Sequence, residues 1–255
     1  MWWLIGTGSF VLLFLAVFVW MIIPRKRREL PGLLGKDYAH RGLWNKERPE
    51  NSLAAFQAAV DKGYGMELDV HLTADGHLVV HHDDNLKRMT GVDRVIGSST
   101  LEEVRQCKLP NGEPVPTFDE MLALVDGKEP LIVELKVEGN SAALAEAVYQ
   151  RMKRYNGPWC MESFSPVPVK WFRDNAPEVI RGQLAFNRAF RKAPWKVFVR
   201  DLGIATMTQN VWSRPDFVAF EAKSEKRWCL SMLLLRWMNP WWVAWTVHSQ
   251  QEMDA

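Results

Sequence analysis

Met66-Glu67-Leu68-Asp69-Val70-His71-Leu72-Thr73-Ala74-Asp75-Gly76-His77-Leu78-Val79-Val80-His81-His82 decides the fold. Both ends read as strands, Met66–Val70 and Leu78–His82, because apolar and β-branched residues dominate them. A parallel crossover takes a dozen or more residues, and Thr73–His77 offers about five. Asp75-Gly76 is instead a hairpin signal, since both residues tolerate positive φ. Leu78–His82 is therefore expected to return antiparallel, opening an insertion at about residues 72–114 that leaves the main sheet.

Outward from this stretch, strand-like and helix-like segments alternate, the pattern of parallel βα units. The strand candidates are Tyr38–His40, Leu131–Leu135, Trp159–Phe164, Gly182–Phe186, Asp216–Phe220 and Val243–Val247. Ser52–Lys62 and Ser141–Tyr155 read as helices, the first capped by Asn51 or Ser52 and stopped by Gly63. With Met66–Val70 the parallel candidates are one short of the eight that a closed (β/α) barrel requires.

The chain has 255 residues, a net charge of +2 and 24 % charged residues, so nothing marks it as a binder of nucleic acid. Cys107, Cys160 and Cys229 are widely spaced and suggest buried free thiols, with neither a disulfide framework nor a zinc site. From Trp2 to Ile23 no residue is charged, and the run meets the roughly 20 apolar residues of a bilayer span. Arg25-Lys26-Arg27-Arg28 follows. The reading is a transmembrane helix over 1–24, a basic linker over 25–36 and a barrel domain over 37–255. The positive-inside rule then gives a single-pass protein of the cell membrane, with its large domain cytoplasmic and its basic flank on anionic lipid. Arg227–Trp245 holds five tryptophans, read as packing of a seventh helix and strand, with contact to lipid as the alternative.

Glu67 and Asp69 lie two apart on a strand and share a face. Neighbouring carboxylates repel unless a cation lies between them. Glu134 ends the apolar run Leu131-Ile132-Val133, with Lys136 on its face. Three carboxylates without thiolates favour one hard cation, Mg2+ or Ca2+. The plainer alternative pairs Glu67 or Glu134 with Lys136 or Arg41. His40-Arg41-Gly42 closes the first strand, offering an imidazole for proton transfer and a guanidinium fork for phosphate. His82 ends the hairpin beside Asp83, which could orient its ring, while His81 points to the opposite face. His71, His77 and His248 read as structural, although His71 shares the face of Glu67 and Asp69.

In order, Ala39-His40-Arg41-Gly42, Pro49-Glu50-Asn51-Ser52, Glu67-Leu68-Asp69-Val70 and Thr73-Ala74-Asp75-Gly76 through Val79-Val80-His81-His82-Asp83 resemble the glycerophosphodiester phosphodiesterase family. Val115-Pro116-Thr117-Phe118, Val133-Glu134-Leu135-Lys136, Glu162-Ser163-Phe164, Gly182-Gln183-Leu184 and Trp245-Thr246-Val247 continue the match. The resemblance implies a TIM-like barrel with a small insertion after its second strand. It also implies metal ligands at Glu67, Asp69 and Glu134, an acid–base pair at His40 and His82, and phosphate contacts at Arg41 and Lys136. Glu50 is then a supporting residue near the metal, and Trp245 an aromatic lining the pocket. The implied products are sn-glycerol 3-phosphate and an alcohol. Lysophospholipase D-like action on membrane lysophospholipids, a phospholipase C-like lyase, and an inactive tethered barrel are the alternatives. Nothing after Val247 matches the family's usual last strand, so the eighth βα unit is expected to be missing.

Overall fold

A computed structural model describes residues 2–25, 29–137, 139–186, 194–221, 230–238 and 240–247, without the side chains of residues 2–7 and 230. Two compact units divide the chain: Glu29–Arg181, and Met1–Arg28 together with Gly182–Ala255. Elements are numbered in chain order.

In the first unit β1 (Tyr38–His40), β2 (Gly65–Leu72), β4 (Leu131–Leu135) and β5 (Trp159–Ser163) pair in that order, all parallel. The crossovers carry α2 (Leu53–Lys62), α5 (Phe118–Val125) and α6 (Ser141–Met152), and α7 (Pro166–Asn175) follows β5. Ser52 starts α2 by accepting the Ala55 N–H at 3.1 Å, and Gly63 ends it at φ 71°. Both caps are the ones expected from the sequence.

Every residue of β2 but Leu72 is buried, as expected of a parallel strand covered on both faces. Met66, Leu68 and Val70 pack with Phe56 and Ala59 of α2, Phe118 and Met121 of α5, and Val133 of β4. The strand's period of two turns Glu67, Asp69 and His71 to the other face. That face is polar and still buried.

The hairpin reading holds. β3 (Leu78–Val80) pairs antiparallel with β2, Val70 opposite Val80 and Leu72 opposite Leu78. The insertion continues through α3 (Lys87–Thr90) and α4 (Leu101–Gln106). Val79, Leu86, Ile96, Val104, Cys107, Leu109 and Val115 give it an apolar cluster of its own. Cys107 and Cys160 are buried, and Cys229 lies outside the described residues.

In the second unit β6 (Ile180–Ala185), β7 (Phe217–Glu221) and β8 (Trp241–Trp245) are parallel, with α8 (Trp195–Thr206), α9 (Asn210–Ser213) and α10 (Leu230–Met238) between them. The tryptophan-rich stretch serves partly as core. Met232 and Leu235 of α10 are buried, and Trp242 stands 5.7 Å from Phe220 between ring centroids. Trp237 is exposed.

α1 (Trp2–Ile22) belongs to this unit, and here the membrane reading is corrected. Among the described residues no helix is long and apolar enough to cross a membrane. The far end of α1 is occupied by protein. Ile22 is fully buried with Ala185, Met207, Val218 and Phe220. Its carbonyl accepts from Asn210 Nδ2 at 2.9 Å, and Arg214 Nη1 donates to the Trp20 and Ile23 carbonyls at 2.8 Å. These bonds satisfy carbonyls that a helix end leaves open. Arg25, read as part of a lipid-facing basic run, has its guanidinium 3.8 Å from Asp216; residues 26–28 lie outside the described residues. The expected single-pass location, with a cytoplasmic catalytic domain, does not stand.

Candidate active site

Strand register assembles the site. His40 is in register with Glu67, and Asp69 with Glu134, which is in turn in register with Glu162 on β5. In-register neighbours on parallel strands point to one face about 4.8 Å apart. Glu67, Asp69 and Glu134 each offer an oxygen within 4.8 Å of the others, and all three are buried. Lys136 Nζ stands 2.9 Å from Asp69 Oδ1 and 2.8 Å from Glu134 Oε1. The plainer pairing of Glu134 with Lys136 is thus present too, inside the same acidic group.

Electrostatics tests whether a cation suits this place. Burial pushes the Glu67 carboxyl well up, and Asp69, Glu134 and Glu162 add repulsion. Glu134 rises to about 7 through burial, with Lys136 opposing and Asp69 reinforcing. Glu162 rises to about 8, from burial and then Glu134. Only Asp69 is held low: burial works against its charge, but Lys136, His82 and Arg41 outweigh it. Lys136, buried as well, is held above the usual lysine range by Glu134 and Asp69. Four buried acids therefore exceed the positive charge facing them, which is the condition a divalent cation relieves. Oxygen-only donors fit a hard cation.

Arg41 takes a left-handed conformation, φ 61°, followed by Gly42 at φ 79°. Its backbone N–H reaches both the Glu67 carbonyl and Glu67 Oε2 at 3.0 Å. A Cβ on Gly42 would come within 2.9 Å of the Ala55 backbone, so the turn requires glycine. Strained backbone of this kind concentrates at functional sites. The turn aims the Arg41 Nη1 at Glu50 Oε1, 2.9 Å away, with Nε 3.5 Å from Asp69 Oδ2. Glu50 is thus tied to the two arginines Arg41 and Arg88 rather than joining the acidic triad.

His40 Nε2 lies 3.8 Å from Glu67 Oε2, and burial followed by the Arg41 charge lowers its pKa to about 4. His82 is half-buried, its pKa lowered by burial and Lys136. Its Nδ1 meets Asp83 Oδ1 at 2.7 Å. An ionised carboxylate only accepts, so Nδ1 carries the hydrogen and Nε2 is left for proton exchange. His81 is buried, with Nδ1 2.8 Å from the Asp83 carbonyl. His71 is buried with Nε2 3.4 Å from the His82 carbonyl. Trp245 closes β8 in the second unit, and His248 lies outside the described residues.

Three site residues went unassigned in the sequence. Asn51, read as a possible helix cap, instead sends Nδ2 to Asp69 Oδ2 at 2.8 Å. Glu162 was visible only as part of a motif, although an acid in the apolar strand Trp159–Ser163 was the available signal. Arg88 gave no signal at all, since its partner Glu50 lies in another segment.

The glycerophosphoryl diester phosphodiesterase family model matches residues 40–222. A glycerophosphodiester phosphodiesterase of Caldanaerobacter subterraneus subsp. tengcongensis is 36% identical over 129 residues, 46% of this chain and 52% of that protein. The human lysophospholipase D GDPD1 is 33% identical over 149 residues, 51% of this chain and 45% of its own length. This chain thus spans about half the length of these two curated relatives. A solved glycerophosphodiester phosphodiesterase of Parabacteroides distasonis superposes with TM-score 0.67 at 25% identity, over 86% of this chain and 87% of that one. An Oleispira antarctica phosphodiesterase, solved with the product sn-glycerol-3-phosphate, shares the fold with TM-score 0.67 at 24% identity, covering 86% and 87%. The TIM-like α/β fold read from the sequence is the one these relatives carry. The matched span covers most of the chain and contains the acidic triad, both histidines and the strained arginine: this chain belongs to the glycerophosphoryl diester phosphodiesterase family.

Proposed function

We propose that this chain hydrolyses glycerophosphodiesters to sn-glycerol 3-phosphate and an alcohol, with one Mg2+ or Ca2+ held by Glu67, Asp69 and Glu134. The convergence of those three buried carboxylates beside Lys136 supports it most. The names and folds of the relatives agree.

When bound, the cation supplies Lewis-acid polarisation of a phosphoryl oxygen. The chain's own residues do the rest. Arg41 presents a planar fork to the phosphate, and Lys136 adds a point charge. Their charge offsets what builds on the phosphoryl oxygens as the bond breaks. His82, hydrogen on Nδ1, takes or gives a proton at Nε2, and His40 serves the opposite proton at the other oxygen. Glu50 keeps Arg41 in place.

Purified protein would be assayed on glycerophosphocholine with Mg2+ or Ca2+, reading glycerol 3-phosphate and choline. No metal-dependent release would end the proposal and leave the inactive-barrel reading. A lysophospholipase D reading has support from the human relative. Faster release of lysophosphatidate from lysophosphatidylcholine would favour it. A cyclic phosphate product would mark a lyase.

A further inference from the structure

We infer that Arg88, on the inserted segment, is a positioning residue that holds His82 and Arg41 in one arrangement through two carboxylates. This rests on the hydrolase reading above. Arg88 Nε stands 2.5 Å from Asp83 Oδ2, and its Nη2 2.6 Å from Glu50 Oε1. Each carboxylate has a second partner at the site. Asp83 Oδ1 takes His82 Nδ1 at 2.7 Å, and Glu50 Oε1 takes Arg41 Nη1 at 2.9 Å. The order is His82, Asp83, Arg88, Glu50, Arg41, with Arg88 joining a proton-transfer group to a phosphate-binding one.

The geometry suits a guanidinium. Its planar fork meets two acids from two separate nitrogens held at a fixed angle, whereas a lysine ammonium has a single nitrogen to share. α3 is only one turn long, and its placement comes from packing: Leu86 just before it is buried in the insertion's apolar cluster, and Thr90 Oγ1 bonds the Leu86 carbonyl at 2.9 Å. The insertion thus delivers a side chain that β1 and β3 do not possess. Without Arg88, the Glu50 carboxylate that holds Arg41 loses one of its two anchors, and the far oxygen of Asp83 loses its partner. The carboxylate can then turn, and the His82 ring with it.

An ion pair as exposed as Arg88, with 46% of its side chain open, adds little to stability. A small misplacement of a reacting group, by contrast, costs about 10²-fold in rate. The two effects separate by measurement. Steady-state kinetics on glycerophosphocholine would compare wild type, Arg88→Ala, Arg88→Lys, Asp83→Asn and the Arg88→Ala/Asp83→Asn pair, alongside thermal melting. Arg88→Ala is expected to lower kcat at least about tenfold and to raise KM, with Tm nearly unchanged. Arg88→Lys recovers only part of the loss. In the Asp83→Asn background the kcat cost of Arg88→Ala should shrink to about twofold or less, because both act through one ring.

Wild-type rates in Arg88→Ala, or the same kcat loss in both backgrounds, would overturn the inference and leave the hydrolase reading intact. If the alanine variant does not fold, the lysine variant decides: a clear loss of kcat supports the role, and wild-type rates remove it. A wild-type protein without turnover takes down both readings.

Discussion

Asn51 donates a 2.8 Å hydrogen bond from Nδ2 to Asp69 Oδ2, and it does so from a left-handed backbone, φ 55°. Asparagine tolerates that conformation better than most residues. The bond fixes one oxygen of the acid that stays ionised while its neighbours are pushed toward protonation. Asn51→Gly keeps the backbone and deletes the side chain. It should weaken Mg2+ or Ca2+ binding by about 10- to 100-fold, the usual cost of losing a partner to a metal ligand. Titration calorimetry reads this directly, and unchanged affinity would strip Asn51 of the role.

Removing the cation should cost stability as well as activity. Excess chelator should abolish turnover. Adding Mg2+ or Ca2+ back at about 100 times Kd should raise unfolding stability by about 2.7 kcal/mol. A melting temperature indifferent to both ions would mean that the three acids do not hold them.

Glu162 gives a pH signature in the metal-free protein. Its folded pKa of about 8 lies above that of an unfolded glutamate, near 4.3. The unfolded chain therefore gives up this proton first, and stability falls as pH rises from about 4.3 to 8. Glu162→Gln removes the penalty. The variant should melt several degrees higher than wild type at pH 8 and about equally at pH 4. An equal difference at both pH values would point to packing instead.

His40→Ala and His82→Ala should each lower turnover by about 10²–10⁴-fold, the range of general acid–base catalysis. Their substrate KM should move far less. A variant that keeps more than about a tenth of wild-type turnover removes that histidine from the pair.

Much of this was legible in the residues. Asp75-Gly76 forced the hairpin because five residues cannot carry a parallel crossover. Glu67 and Asp69 declared a shared face through the strand period. Strand ends moved by a residue or two: Val243–Val247 became Trp241–Trp245 and Gly182–Phe186 became Ile180–Ala185. Apolar runs do not mark where pairing stops. α1 misled because hydropathy records composition and says nothing of what covers a helix end, here Asn210 and Arg214. Arg88 and Asn51 stayed hidden because their importance lies in partners distant in sequence, Glu50 for one and Asp69 for the other.

The acids at 69, 134 and 162 come from three adjacent strands and meet only because those strands align residue for residue. Slide β4 by a single position and Val133 or Leu135 takes the place of Glu134, turning a buried acidic cluster into an oily wall. The sheet's hydrogen-bond ladder therefore acts as the gauge that sets the spacing of the chemistry. Selection for a working centre and selection against misaligned strands are, in this protein, the same pressure.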